Sequence, residues 1–222
     1  MRWSAAIIAL PLVALALSAG PAAEAKPPQA LSDVDDPAVK SFKAHGLAAV
    51  VSQANCGGGS YSVVNSPDGT SVSVLFDNFA AQATQAVAGA VRTNCAVRIP
   101  LNLPAGYSLG VFRIDYRGFA HLDAGQSAQL SVDYSVGRQG RGRNFRRALK
   151  GAYDGDFGFV ENIGAGLMKR AGCGEDAALN FAATLDLLPN GGSQEALVTL
   201  DSLDGTARRG VVFYVDLKKC RS

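Results

Sequence analysis

His121 and Asp123 stand two residues apart, so on an extended segment both side chains leave the same face. An imidazole beside a carboxylate is the minimal pair for acid–base chemistry, and Asp77 or Asp115 is a candidate partner to orient the ring. A secreted hydrolase using His121 with Asp77 or Asp123 is therefore one reading. Against it, the chain has no Gly-x-Ser-x-Gly elbow and no His-Glu-x-x-His, and its cysteines read as crosslinks rather than nucleophiles. Asp123 followed by Ala124-Gly125 also has a plainer explanation, a turn residue capping a strand end through its side-chain oxygen. The balance favours a protein that is not an enzyme.

Arg138, Arg141, Arg143, Arg146 and Arg147 crowd a short stretch broken by Gly140 and Gly142, which reads as an exposed loop. Guanidinium groups so placed are candidates for bidentate bonds to acidic or sulfated glycans, phosphates or an anionic envelope surface. The plainer alternative is a solvated loop balanced by Asp154, Asp156 and Glu161. Nucleic acid is disfavoured: the formal net charge is only +2, and no aromatic platform accompanies the arginines beyond Phe145. Asp154, Asp156, Asp201 and Asp204 are weak calcium candidates, since Asp-Gly pairs mainly mark turns and their spacing does not match the helix-loop-helix site. No cofactor is expected. The single tryptophan, Trp3, falls in the export signal, and Tyr116 and Tyr134 share parity with apolar neighbours. Flat sugar-stacking faces are correspondingly scarce.

The elements that must position these groups are strands. Cys95, Val97, Ile99, Leu101 and Leu103 alternate with Arg98 and Asn102, and the same period of two recurs at Val72–Phe76, Phe112–Tyr116, Leu130–Val136, Leu179–Leu187 and Val211–Leu217. Weaker versions cover 156–163 and 195–203, and turn formers such as Pro67-Asp68-Gly69, Asp154-Gly155 and Asn190-Gly191-Gly192 separate the runs. Phe79 to Arg92 reads as a long connection with a turn of helix as its alternative. The fold expected is all-β: a two-sheet antiparallel β-sandwich of the jelly-roll or Ig-like kind, with a closed β-barrel as the alternative.

Cys56, Cys95, Cys173 and Cys220 form an even set in an exported chain, so two disulfides are expected, with three connectivities formally open. Cys56 with Cys95 and Cys173 with Cys220 is preferred because each pairing stays within one half of the domain. Parity puts Cys95 on the buried side of its strand and Cys220 with Asp216 and Lys218, so the first bridge should be core and the second peripheral. Export itself follows from one basic residue, the apolar run Ala5–Leu17 and the small-residue site Ala23-Glu24-Ala25. Residues 1–25 are read as a signal peptide, 26–45 as a flexible segment, and 46–222 as a single β-sandwich domain in the medium or periplasm. No membrane span is expected in the mature chain.

Several blocks in order carry a family resemblance: Cys56-Gly57-Gly58-Gly59-Ser60, Ser66-Pro67-Asp68-Gly69-Thr70, Phe76-Asp77-Asn78-Phe79 and Asn94-Cys95. Tyr116-Arg117-Gly118-Phe119-Ala120, Leu122-Asp123-Ala124-Gly125, Gly155-Asp156-Phe157, Cys173-Gly174, Asp201-Ser202-Leu203-Asp204-Gly205 and Lys219-Cys220 extend it. Together they resemble the secreted domain-of-unknown-function family 4360 over about residues 46 to 220. The resemblance implies a small exported protein with four matching cysteines and implies no activity. Cys56-Gly57 replaces the Cys-Pro common in that family, and the arginine stretch is not part of the family pattern. The leading functional expectation is a non-enzymatic exported domain binding an anionic glycan or envelope component. The alternatives are the hydrolase above and an inhibitor or toxin-like protein acting on another protein.

Overall fold

The computed structural model describes residues 52–56, 61–84, 89–137, 142–174, 177–190, 195–200 and 210–221. The signal 1–25, the segment 26–45, Arg138, Arg141, Asp201 and Asp204 lie outside the described residues. Thirteen strands are found among them: β1 Ser52–Cys56, β2 Tyr61–Asn65, β3 Ser71–Phe76, β4 Ala80–Ala83, β5 Val91–Leu101, β6 Tyr107–Leu122 and β7 Ser127–Val136, then β8 Arg143–Lys150, β9 Tyr153–Asn162, β10 Arg170–Gly172, β11 Ala177–Leu188, β12 Ala196–Thr199 and β13 Gly210–Lys219. β1, β5, β11, β7 and β8 form one sheet in that order. The other runs β2, β3, β13, β6, β12, β4, with β9 and β10 also paired to β6. The pairings are antiparallel throughout. Neither sheet closes on itself, so the barrel alternative is set aside.

Alternation in the sequence becomes alternation in burial. On β5 Cys95, Val97, Ile99 and Leu101 are buried while Asn94, Ala96 and Arg98 are exposed, and β7 and β11 behave alike. The inward side chains of the two sheets meet in one core, where Phe181 of β11 crosses Phe213 of β13 edge-on at 5.8 Å. Tyr116 of β6 stacks on Phe145 of β8 at 4.5 Å between ring centres. Such contacts give a sandwich its apolar burial and fix how the sheets face each other.

Three expectations change. The run from Phe79 to Arg92 contains β4, whose Ala81 and Ala83 are buried, and Phe79 itself is core. Arg143, Arg146 and Arg147 lie on strand β8, not on a loop, because Phe145 and Leu149 alternate with outward residues and pair the segment to β7. Asp154-Gly155-Asp156 is part of β9, not a turn.

The β2–β3 hairpin does follow its turn chemistry. Asp68 Oδ1 accepts from the Ser66 hydroxyl at 2.5 Å and from the Thr70 amide and hydroxyl at 3.0 and 2.8 Å, while Gly69 takes φ +68°. The Ser66 bond first, then those from Thr70, hold the Asp68 carboxyl below its ordinary 3.8. A depressed folded value means the stabilisation is present above the unfolded value and is lost as pH falls through the folded one. Asp68→Asn is expected to cost about 0.5 kcal/mol at pH 7, or roughly 1–2 °C in melting temperature. The gap from wild type should narrow in melts as pH falls below the ordinary carboxylate value.

Both disulfides form with the expected partners. Cys56 and Cys95 face each other across β1 and β5 and are 3% and 1% exposed. Cys173 and Cys220 join the exposed segment after β10 to the end of β13.

Candidate functional site

On β6, His121 lies directly opposite Asp154 of β9, and its Nδ1 is 3.1 Å from Asp154 Oδ1. Both side chains are largely solvent-exposed. Asp123 sits in the turn after β6, where its amide donates to Gln126 Oε1 at 2.7 Å and its carbonyl accepts from the Gln126 amide. Asp77 lies between β3 and β4. The structure thus brings His121 to Asp154, which the hydrolase reading had not chosen, and to neither Asp77 nor Asp123. His121 lines neither of the two clefts described below. Asp154 and Asp156 both face outward from a strand, and no three His, Cys, Asp or Glu side chains gather as a metal site among the described residues.

The three described arginines of the basic stretch have three different surroundings. Arg143 turns toward the edge between the sheets, where its Nε lies 3.4 Å from Glu161 Oε1; Glu161 is 9% exposed and accepts from the Tyr116 hydroxyl at 3.1 Å. Burial first, and then the Glu161 charge, pushes the Tyr116 and Tyr134 hydroxyls far above the ordinary phenol range. Arg147 lies over the Phe145 ring at 4.5 Å. Arg146 is exposed on β8 opposite Ser131. Arg143 thereby closes the sandwich edge as half of an ion pair, and the three described arginines do not share one surface.

The outer face of the five-stranded sheet carries an ordered polar array. Arg98 of β5 donates to Asn180 Oδ1 of β11 at 3.1 Å, and Asn180 Nδ2 donates to Ser135 Oγ of β7 at 3.2 Å. One row along, Asn144 of β8 donates to Asp133 Oδ1 of β7 at 2.9 Å. Ala96 and Ala182 continue that second row, with Ala182 opposite Asp133, and their short side chains leave a depression of about 500 Å³ bordered by Arg98, Asp133, Ser135, Asn144 and Asn180. Further rows continue the pattern: Thr184 donates to Asn94 Oδ1 at 2.8 Å and Arg92 pairs with Asp186 at 2.5 Å.

A second cleft, of about 390 Å³, opens on the outer face of the other sheet between β6 and β9, bordered by Arg113, Asp115, Arg117, Asp156, Gly158 and Val160. Asp115 is 3% exposed and is held by Arg113 through two bonds, Nε at 2.6 Å and Nη2 at 2.8 Å. That bond to Asp115 raises the Arg113 pKa and keeps it charged. Arg113 also lies over the Tyr214 ring.

Of the residues bordering the two clefts, only Asp115 and Asp156 are candidates from sequence, and for other roles. The available signal was the polar half of the alternation, Arg98 on one strand and Asn180, Thr184 and Asp186 on another. It becomes a site only once β5, β11, β7 and β8 are set side by side in register.

A protein of Arthroderma benhamiae described as an uncharacterized secreted protein is 27% identical over 179 residues, covering 80% of this chain and 72% of its own length. The solved structure of TmCBM61 in complex with beta-1,4-galactotriose aligns over 75% of this chain and 87% of its own at 13% identity. Its TM-score of 0.31 is too low to bear on fold or ligand. Residues 50–220 match the sequence profile described as domain of unknown function DUF4360, and the chain belongs to that family.

Proposed function

We propose that the protein is a non-catalytic, exported glycan-binding domain whose ligand lies across the outer face of the five-stranded sheet. The observation that carries this reading is the row Arg98–Asn180–Ser135 beside the row Ala96–Ala182–Asp133–Asn144, whose two alanines form a low floor next to the polar side chains. A sugar chain offers hydroxyls that both donate and accept, and these rows supply both roles within a few ångströms of the backbone. Cross-strand hydrogen bonds already hold the side chains in place, so little rotamer freedom is lost on binding. Arg98, with the outward Arg146, favours a chain carrying acidic groups. Arg138 and Arg141, in the connection between β7 and β8, are further candidates for the same contact. An exported, doubly crosslinked domain suits recognition outside the cell.

Affinity electrophoresis of the mature protein through gels containing neutral or uronate-bearing polysaccharides tests the reading. Retardation by at least one polysaccharide is expected. Arg98→Ala and Asn180→Ala should each weaken it by about tenfold, the loss of a charge-assisted bond to ligand. No retardation by any polysaccharide, or retardation that survives both substitutions, overturns it.

A further inference from the structure

We propose that the cleft between β6 and β9 is a second ligand site, independent of the polar face on the other sheet, and that it receives the carboxylate of an acidic sugar. Arg117 is its centre. The residues that flank Arg117 across the sheet are Gly210 of β13 and Gly158 of β9, so neither neighbour puts a side chain beside its guanidinium. Arg117 is exposed and has no hydrogen-bond or ion-pair partner among the described residues. Asp115, two residues away on the same strand, is already neutralised by Arg113, which leaves the Arg117 charge available to a ligand.

The shape and charge of the cleft select the ligand class. A Cβ built on Gly158 meets nothing within 4 Å, so the floor beside Arg117 is open space that a flat ring can occupy. The volume of about 390 Å³ falls in the range of small-molecule sites. The single guanidinium fork of Arg117 matches a carboxylate through two parallel bonds. Two sequence blocks far apart in the chain build this wall: residues 116–120 and 155–159 run in register, with Arg117 opposite Gly158, Gly118 opposite Phe157 and Phe119 opposite Asp156.

The test is a titration of ¹⁵N-labelled mature protein with D-glucuronate, D-glucose and sulfate, followed by amide chemical shifts. Glucuronate should move amides of β6 and β9 around Arg117 and Gly158, and glucose should not. Arg117→Lys, which keeps the charge but loses the fork, should weaken glucuronate by about tenfold. Gly158→Leu should fill the cleft and abolish the shifts, while Arg98→Ala should leave them unchanged, which separates this site from the proposed glycan face. Absence of glucuronate shifts on β6 and β9, or shifts that Arg117→Lys does not weaken, overturns the site. Sulfate binding as tightly as glucuronate overturns the carboxylate assignment. Should Gly158→Leu fail to fold, Arg117→Lys alone decides.

Discussion

Gly118→Ala is expected to destabilise the domain by about 3 kcal/mol, a fall of roughly 6–12 °C in melting temperature for a chain of this size. A Cβ at Gly118 would stand 1.9 Å from the Thr199 carbonyl oxygen and 2.6 Å from the Phe157 ring. Neither can yield cheaply. Thr199 belongs to β12, which is held between β6 and β4, and Phe157 is 6% exposed in the core. The methyl must therefore push two paired strands apart or displace a packed aromatic ring. Gly158, across the same cleft, is the control: its added Cβ meets nothing within 4 Å, so Gly158→Ala should melt within about 1 °C of wild type. Thermal melts by circular dichroism with urea titrations of both variants read the difference. Equal melting temperatures would show that Gly118 is not the close-approach point described.

That contrast between two glycines also marks where reading the sequence stops. The buried half of each strand was legible because apolar residues at every second position leave few options, as on β5 from Cys95 to Leu101. β8 escaped notice because it lies at the sheet edge, where Arg143 and Arg147 occupy inward positions that a central strand would fill with apolar side chains. β4 escaped because alanine carries little hydrophobic contrast, so Ala80–Ala83 shows no face until Ala81 and Ala83 are seen buried. His121 was legible as a candidate, and its partner was not. The pairing of β6 with β9 is a register, set by many bonds along two long strands, and it puts Asp154 rather than Asp123 beside the ring. The same register assembles Arg117 with Gly158. Binding faces on sheets are properties of strand order, which alternation along a single strand does not encode.

Removing the Cys56–Cys95 bridge should cost more than removing Cys173–Cys220, although chain entropy alone makes them nearly equal. The loops they close have separations of 39 and 47 residues, worth roughly 4 kcal/mol each in that model. Two differences break the tie. Cys56 and Cys95 are both core, so replacing them with alanine also removes buried sulfur and leaves a small void, adding about 1 kcal/mol. The bridge also pins β1 to β5 at the edge of its sheet, where β1 has no other strand neighbour among the described residues. The second bridge duplicates constraints that survive its loss, because the Cys173 amide donates to the Tyr107 carbonyl at 2.9 Å and the Cys220 amide to the Gly106 carbonyl at 2.8 Å. We expect about 4–5 kcal/mol for Cys56→Ala with Cys95→Ala and about 3 kcal/mol for Cys173→Ala with Cys220→Ala, measured by urea unfolding. Hydrogen exchange should show lost protection on β1 in the first pair and none there in the second. Because β1 pairs with Arg98 and Ala96, the first pair should also weaken retention on the glycan that the five-stranded sheet binds. An equal cost for the two bridges would mean that burial of the first adds nothing to the crosslink.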